Sequence, residues 1–500
     1  MNDHSYLTTS IPYVNAAPHL GHALEFVQAD VLARHRRAQG RPVRLLSGTD
    51  DHAVKNVLAA TRAGVDPAAF VAGNAAAFVR LRDLLDLSFD DFIQTSTDPR
   101  HRPGVQRLWR ASAERGDFYR RSYSGRYCLG CEQFYSDDEL VNGLCPEHGT
   151  PVETVAEDNW FFRLSAYAGE IERLIRQQVV RIEPTERRNE VLAFLGRGVE
   201  DISVSRPAER ARGWGIAVPS DDTQVVYVWW DALCNYVTAL DYGGDQRAYR
   251  EWWVESAERL HVVGKGITRF HAVYWLALLL SAGQPLPTTI FVHDYLTLGG
   301  AKISKSSGLT LSPDGLVDRY GTDALRWWLV SDVARVGDTD FTADRLVQRY
   351  QQDLAGGIGN LVNRTCALVH RFRQGQVQPE RADRVGSLVG AVAGLADLIE
   401  ADLARFDLRS ASGRLTGVVA EANRYLEAER PWTLGRDEAR GGPSDPRLDE
   451  VLATAVVSCR VLAREFAPFI PGGARRLQEQ LGSDGRVLAP APVFGPLLGT

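Results

Sequence analysis

Short apolar runs followed by amphipathic helical runs alternate in two stretches of this chain, and a cysteine-bearing interruption separates the stretches. Residues 6–13 read as a buried strand. Pro18 then breaks the chain. Leu20, Leu24, Val27 and Val31 give residues 19–39 an apolar helical stripe that Gly40 ends. Residues 43–46 predict a second strand closing on Gly48-Thr49-Asp50, and residues 89–95 predict a third. Such alternation calls for parallel strands joined by crossover helices, hence an α/β fold with a doubly wound sheet covered on both faces. The pattern changes near residue 115, a helix is expected near residues 166–179, and strands are expected again at 225–229, 261–264 and 290–298. From about residue 340 to 476 the periodicity is helical, which predicts a separate all-α bundle. Residues 482–500 are rich in Pro and Gly and are expected to pack irregularly. The expected division is a sheet domain in two halves (1–115 and 221–298), an insertion at 116–220, a connecting region at 299–345 and a helical domain at 346–500.

No run of about 20 apolar residues exists, which excludes a membrane helix. The N-terminus lacks the basic-then-apolar pattern of a signal peptide, so a cytoplasmic protein is expected. There, six cysteines suggest thiols or metal ligands in place of disulfides. The net charge of -6 neither advertises nor excludes a polyanionic partner, because the local field decides. Only Lys55, Lys265, Lys302 and Lys305 supply ammonium groups among 57 basic side chains. Chance retention explains Lys55 as well as need does; two lysines inside five residues are harder to ascribe to chance. An ammonium is compact and strongly hydrated where a guanidinium is planar.

His19-Leu20-Gly21-His22 opens the first helix after the first strand. A helix N-terminus offers unsatisfied N–H groups and a positive dipole end, which suit phosphate. Gly21 lets backbone approach closely, and the two imidazoles at i and i+3 can face one ligand. Lys302-Ile303-Ser304-Lys305-Ser306 lies between glycines, and its ammonium groups can neutralise charge building on a leaving pyrophosphate. Cys128-x2-Cys131-x13-Cys145-x2-His148 has the spacing of a closed tetrahedral zinc site, with His148 as either fourth ligand or bystander. Cys234, Cys366 and Cys459 are scattered and read as core thiols. In the helical region Asn360 and Arg364 share a face, and Arg430-Pro431-Trp432 is expected on a loop after a helix. Stacking and base-edge hydrogen bonds of that kind suit single-stranded RNA, although a buried Trp and a surface Arg fit equally.

These motifs, together with Gly48-Thr49-Asp50-Asp51-His52, Tyr227-Val228-Trp229-Trp230-Asp231-Ala232, Gly264-Lys265 and Arg269-Phe270-His271, resemble those of the methionine-specific class I aminoacyl-tRNA synthetases in order and spacing, from about Tyr6 to Trp432. The resemblance implies a Rossmann-like sheet split by a zinc-binding insertion and followed by an anticodon-binding helical bundle, with residues 299–345 contacting the tRNA stem. It implies ATP with Mg²⁺ held by His19, Gly21, His22, Lys302, Ser304 and Lys305, one structural Zn²⁺, L-methionine, and tRNA(Met) read at its CAU anticodon by Asn360, Arg364, Pro431 and Trp432. It further implies that Asp50 holds the substrate ammonium and that Ile11, Tyr13, Trp229, Ala232, Leu233, Tyr236, Ile267, Phe270 and His271, with Tyr274, line a methionine pocket. Residues 267, 270, 271 and 274 also have the spacing of any buried helix face. A monomer that binds neither membrane nor DNA is expected.

Some positions depart from the family pattern. Gly266 stands where Asp is usual, Ala53 for Gly, Leu276 for Pro, Asp294-Tyr295 for Gly-Phe, Gln351 for Asn and Ile303 for Met. Three alternatives stay open at this point: a synthetase for another apolar amino acid, a divergent inhibitor-resistant second copy, and a non-acylating tRNA-binding regulator.

Overall fold

The computed structural model describes residues 2–147, 149–303, 311–483 and 485–497, with the Lys302 side chain outside the description. The chain divides into two compact units. One holds the chain up to Asp83 together with Leu87–Tyr295; the other holds Leu84–Asp86, Leu296–Ala301 and the chain from Leu311 on.

The first unit is built on a six-stranded parallel sheet in the order Asp91–Gln94, Val43–Thr49, Asn2–Thr9, Ser256–Gly264, Thr289–His293, Arg181–Glu183. Leu7 sits opposite Leu45 on one side and Leu260 on the other, and all three are fully buried, as strands covered on both faces require. The strand order reverses beside Asn2–Thr9, between its neighbours Val43–Thr49 and Ser256–Gly264, and a doubly wound sheet opens a crevice at such a point. The helix Leu20–Ala38 follows the first strand, with His35, Arg36 and Arg37 in its last turn facing the negative dipole end. Trp253 and Trp275 lie fully buried in the core under the sheet, with Tyr6, Leu46 and Ile93.

The strands differ from expectation in three places. In the insertion, Arg181–Glu183 returns to the edge of the main sheet. The expected strand at 225–229 is instead Asp221–Val226, antiparallel to Ser205–Pro207 and Ala217–Val218, and a helix already begins at Val228. The expected strand at 290–298 is likewise two: Thr289–His293 in the main sheet, and Leu296–Leu298 paired with Thr339–Asp340 in the second unit. A four-stranded antiparallel sheet centred on Phe118–Cys128 and Glu153–Phe162 carries the cysteine cluster.

The second unit is helical. Leu408–Glu429 and Pro446–Glu465 are its longest helices, and the segment Tyr350–Gly359 runs with π-helical bonding into Asn360–Arg373. Arg326 is wholly buried there. Its guanidinium donates to the carbonyls of Phe469, Pro468 and Leu85, which ties Leu84–Asp86 to this unit. The tail lies along the bundle: Val377 N–H donates to Gly485 O and Val487 N–H to Gly375 O. No helix among the described residues is long and apolar enough to cross a membrane.

Candidate active site

His19 caps the helix Leu20–Ala38 from an extended backbone conformation. Its Nδ1 accepts from Gly21 N–H at 3.1 Å, while His22 Nδ1 accepts from His19 N–H at 3.0 Å. The rings stack with centroids 3.8 Å apart. Acceptance at both Nδ1 atoms places the proton of each neutral ring on Nε2, so the pair carries two oriented donors at a helix N-terminus. Gly21 serves this cap: a Cβ there would lie 2.9 Å from the His19 Cε1 atom.

A cavity of 780 Å³ opens beside these histidines. Of the expected pocket residues, Ile11, Tyr13, Asp50, Trp229, Ala232, Leu233, Tyr236, Ile267 and His271 line it. Phe270 does not; it stacks behind Trp229, centroids 3.5 Å apart and 15° between planes, and Tyr274 packs edge-on against it. Sequence reasoning missed Phe70, Leu129, Gly130 and Asn235 as wall residues, and it gave Lys55 no place there. His271 Nδ1–H donates to Ile267 O at 3.0 Å, and its Nε2 accepts from the Tyr236 hydroxyl at 2.7 Å. Burial pushes the His271 imidazole down to about 4, so it is neutral, and both protons of this pair are committed inside the protein. A thioether in the pocket would meet ring faces and edges.

Asp50 follows the strand Val43–Thr49 and pairs its backbone with Tyr13. Burial raises its carboxyl well above the usual range, and the charges of Asp231, Glu132 and Asp51 add to the shift, against Lys55. A cationic ligand would relieve that cost. Asp231 lies between two imidazoles, with His52 Nδ1 at 2.6 Å from Oδ2 and His101 Nε2 at 2.6 Å from Oδ1. Burial alone would raise the Asp231 carboxyl; the paired imidazoles outweigh it and hold it below the usual carboxylate range. His101 was not anticipated, because it comes from a helix start 130 residues away and belongs to no local pattern.

The sulfurs of Cys128, Cys131 and Cys145 lie within 4.8 Å of one another, compatible with the ~3.8 Å sulfur spacing that zinc–thiolate bonds of about 2.3 Å impose on a tetrahedron. Tyr135 donates its hydroxyl to Cys131 Sγ at 3.0 Å. His148, Ser304 and Lys305 lie outside the described residues. Cys234, Cys366 and Cys459 are buried, as core thiols.

Two departures from the family pattern explain each other. A Cβ at Gly266 would collide with the Tyr295 hydroxyl. Ala53 is buried in an extended conformation (φ -63°, ψ 134°) open to any residue, so the backbone there does not need glycine.

In the second unit Arg364 lies over the Trp432 ring at 4.8 Å and pairs with Glu427 at 2.6 Å. Asn360 is exposed one turn earlier on the same helix. Trp432 sits in the first turn of the helix Pro431–Ala439, not on a loop: only Arg430, with positive φ, separates it from the helix Leu408–Glu429.

A doubly wound parallel sheet with helix-cap imidazoles and a cavity of 780 Å³ at its switch point, in a chain that also holds a helical unit, has the design of a class I aminoacyl-tRNA synthetase. The sequence model of the class I tRNA synthetases (M) matches residues 5–154 and 148–366. A methionine–tRNA ligase of Caldanaerobacter subterraneus is 37% identical over 95% of this chain and 74% of its own length, and one of Brucella suis is 38% identical over 95% and 91%. The methionyl-tRNA synthetase of Mycobacterium tuberculosis, solved in complex with methionyl-adenylate, superposes with a TM-score of 0.93 at 34% identity, covering 99% of this chain and 100% of that one. The chain belongs to the methionyl-tRNA synthetase family.

Proposed function

We propose that this protein is a methionine–tRNA ligase that joins L-methionine to tRNA(Met) through methionyl-adenylate. The observation that carries the reading is one cavity that brings the His19–His22 cap together with Asp50 and the aromatic residues Tyr13, Trp229 and Tyr236. The methionine carboxylate attacks the α-phosphate of ATP, the bond to the leaving pyrophosphate breaks, and methionyl-adenylate forms. A hydroxyl of the tRNA 3′ end then attacks the acyl carbon and AMP leaves. No protein nucleophile is needed; the chain positions the reactants and offsets charge.

Nε2–H of His19 and of His22 donates to phosphate oxygens beside Gly21. Lys302 and Lys305, with Ser304, meet the charge on the leaving pyrophosphate, and Mg²⁺ bound with the triphosphate would neutralise part of it. Asp50 takes the substrate ammonium. Cys128, Cys131, Cys145 and His148 hold one structural Zn²⁺. Asn360, Arg364, Pro431 and Trp432 read the CAU anticodon. Methionine-dependent ATP–pyrophosphate exchange tests the reading. Lys305→Ala abolishes that exchange while methionine binding survives; exchange that depends on another amino acid and not on methionine overturns it.

A further inference from the structure

Trp229, Asn235, Tyr236 and His271 are the polar side chains that residues 228–238 and 267–274 bring to the substrate cavity. The Trp229 indole N–H donates to Cys131 O at 3.2 Å, and Phe270 backs the ring. The Asn235 amide donates to Ala232 O at 2.6 Å. The Tyr236 hydroxyl donates to His271 Nε2 at 2.7 Å, and His271 Nδ1–H donates to Ile267 O at 3.0 Å. That last bond fixes the order of the chain. A carbonyl only accepts, so the hydrogen of the neutral ring is on Nδ1, and Nε2 is left to accept from Tyr236. Burial and the Glu25 charge raise the Tyr236 hydroxyl above its ordinary value, with a hydrogen bond from Asn235 acting against them. The phenol therefore keeps its proton and takes the second amide hydrogen of Asn235.

Every side-chain N–H and O–H of the four thus points at the protein. The polar atom among them with no hydrogen-bond partner is Asn235 Oδ1, which is an acceptor. Asn235, Tyr236 and His271 are each at most 2% exposed, so solvent does not supply other partners. This end of the cavity therefore offers a ligand ring surface and acceptors, and no side-chain donor. A thioether loses little there, because its sulfur is a weak acceptor that gains from contact with rings. A sulfoxide adds one oxygen, a strong acceptor, and burying it unpaired is costly. Oxidation of methionine makes this change and yields two epimers.

We propose that the chain from Asn235 through Tyr236 and His271 to Ile267 O is an oxidation filter: by directing its protons into the protein it admits the thioether of methionine and rejects methionine sulfoxide. The inference rests on the reading of this cavity as the methionine site.

The test is calorimetric binding of L-methionine, L-norleucine and each epimer of L-methionine sulfoxide to the full-length protein, to His271→Leu and to His271→Leu with Tyr236→Phe. The intact protein binds methionine ~tenfold or more tightly than either sulfoxide, as an unpaired buried acceptor implies. Norleucine, which has no sulfur, reports whether the pocket of each variant is intact. In His271→Leu the Tyr236 proton loses its acceptor and turns to the ligand, so the ratio of sulfoxide Kd to methionine Kd falls ~fivefold or more; Tyr236→Phe in the same chain removes that proton and brings the ratio back to within about twofold of the intact value. An unchanged ratio in His271→Leu overturns the proposal. So does an equal fall in the double variant, which would make space and not the proton the cause. Loss of norleucine binding in His271→Leu marks the imidazole as a packing residue and also overturns it, as does an intact protein that binds sulfoxide as well as methionine. An intact protein that binds neither methionine nor norleucine overturns the methionine reading itself, and the proposal falls with it.

Discussion

The hydroxyl of Tyr295 occupies the space that a side chain at Gly266 would enter. The same ring carries Lys265 Nζ 4.6 Å from its centroid, and the neighbouring Asp294 carboxylate pairs with Arg187 at 2.5 Å and with Lys265 at 3.9 Å. The two departures from the family pattern are therefore one change. Gly266→Asp alone must displace the Tyr295 ring and, with it, Lys265. The expected result is a raised KM for ATP in pyrophosphate exchange. Gly266→Asp with Tyr295→Phe regains most of the loss, giving a coupling energy on the order of 1 kcal/mol or more. Additive effects of the two substitutions would show that the side chains do not share this space.

His271 gives the site a signed pH dependence. Burial holds its imidazole near 4 in the folded protein, whereas the unfolded chain takes up the proton near pH ~6.5. Below ~6.5 the unfolded state binds more protons, so the stability this group contributes is complete above that pH and drains as pH falls toward 4. His52 and His293, whose imidazoles are raised by Asp231 and Glu25 against the effect of burial, act in the opposite sense. His271→Gln removes only the first contribution. In urea unfolding, the stability gap between the intact protein and the variant should shrink by roughly 2 kcal/mol between pH 7 and pH ~5. A gap that stays constant over that range would mean the imidazole is not held neutral.

The cysteine cluster is tied to the cavity through backbone. The carbonyls of Gly130, Cys131 and Glu132 accept from Lys55, Trp229 and Tyr227 respectively. Cys128→Ser should therefore do two things: lower bound zinc from one equivalent toward none, measured by elemental analysis, and weaken methionine binding roughly tenfold as these hydrogen bonds loosen. Zinc lost with unchanged methionine affinity would separate the knuckle from the pocket.

The parts legible in the sequence are those whose partners lie within a few residues: the cap formed by His19 and His22, and the pair Cys128 and Cys131. Val225 to Trp229 misled because five apolar residues fit a strand and a buried helix alike, and periodicity cannot place the boundary that falls at Tyr227. Arg181–Glu183 is a three-residue edge strand with too little pattern to be seen. The His52–Asp231–His101 cluster joins three distant segments, so only the fold brings it together. The family resemblance supplied most of the pocket, but not Lys55 or Gly130, whose roles depend on how the insertion's turn meets the cavity.

The Arg364–Trp432 pair gives the helical unit its own test. The guanidinium lies over the indole at 4.8 Å and is oriented by Glu427, so a base stacking on this surface meets a flat, positively charged platform. The pair lies in the second unit and the amino-acid cavity in the first, so removing it should separate the two half-reactions. Base stacking is worth about 1–3 kcal/mol per base, so Trp432→Ala should lower kcat/KM for aminoacylation of a CAU-bearing tRNA ~10- to 100-fold, and Arg364→Ala comparably. Methionine-dependent pyrophosphate exchange, which needs no tRNA, should stay within about twofold of the intact protein, because the substituted groups lie outside the substrate cavity. A tRNA with an altered anticodon supplies the control: it should react poorly with the intact protein and lose little more with Trp432→Ala. If Trp432→Ala aminoacylates the CAU-bearing tRNA at the intact rate, the aromatic platform does not read the anticodon. If exchange falls in parallel with aminoacylation, the substitution acts on the catalytic unit and not on tRNA recognition.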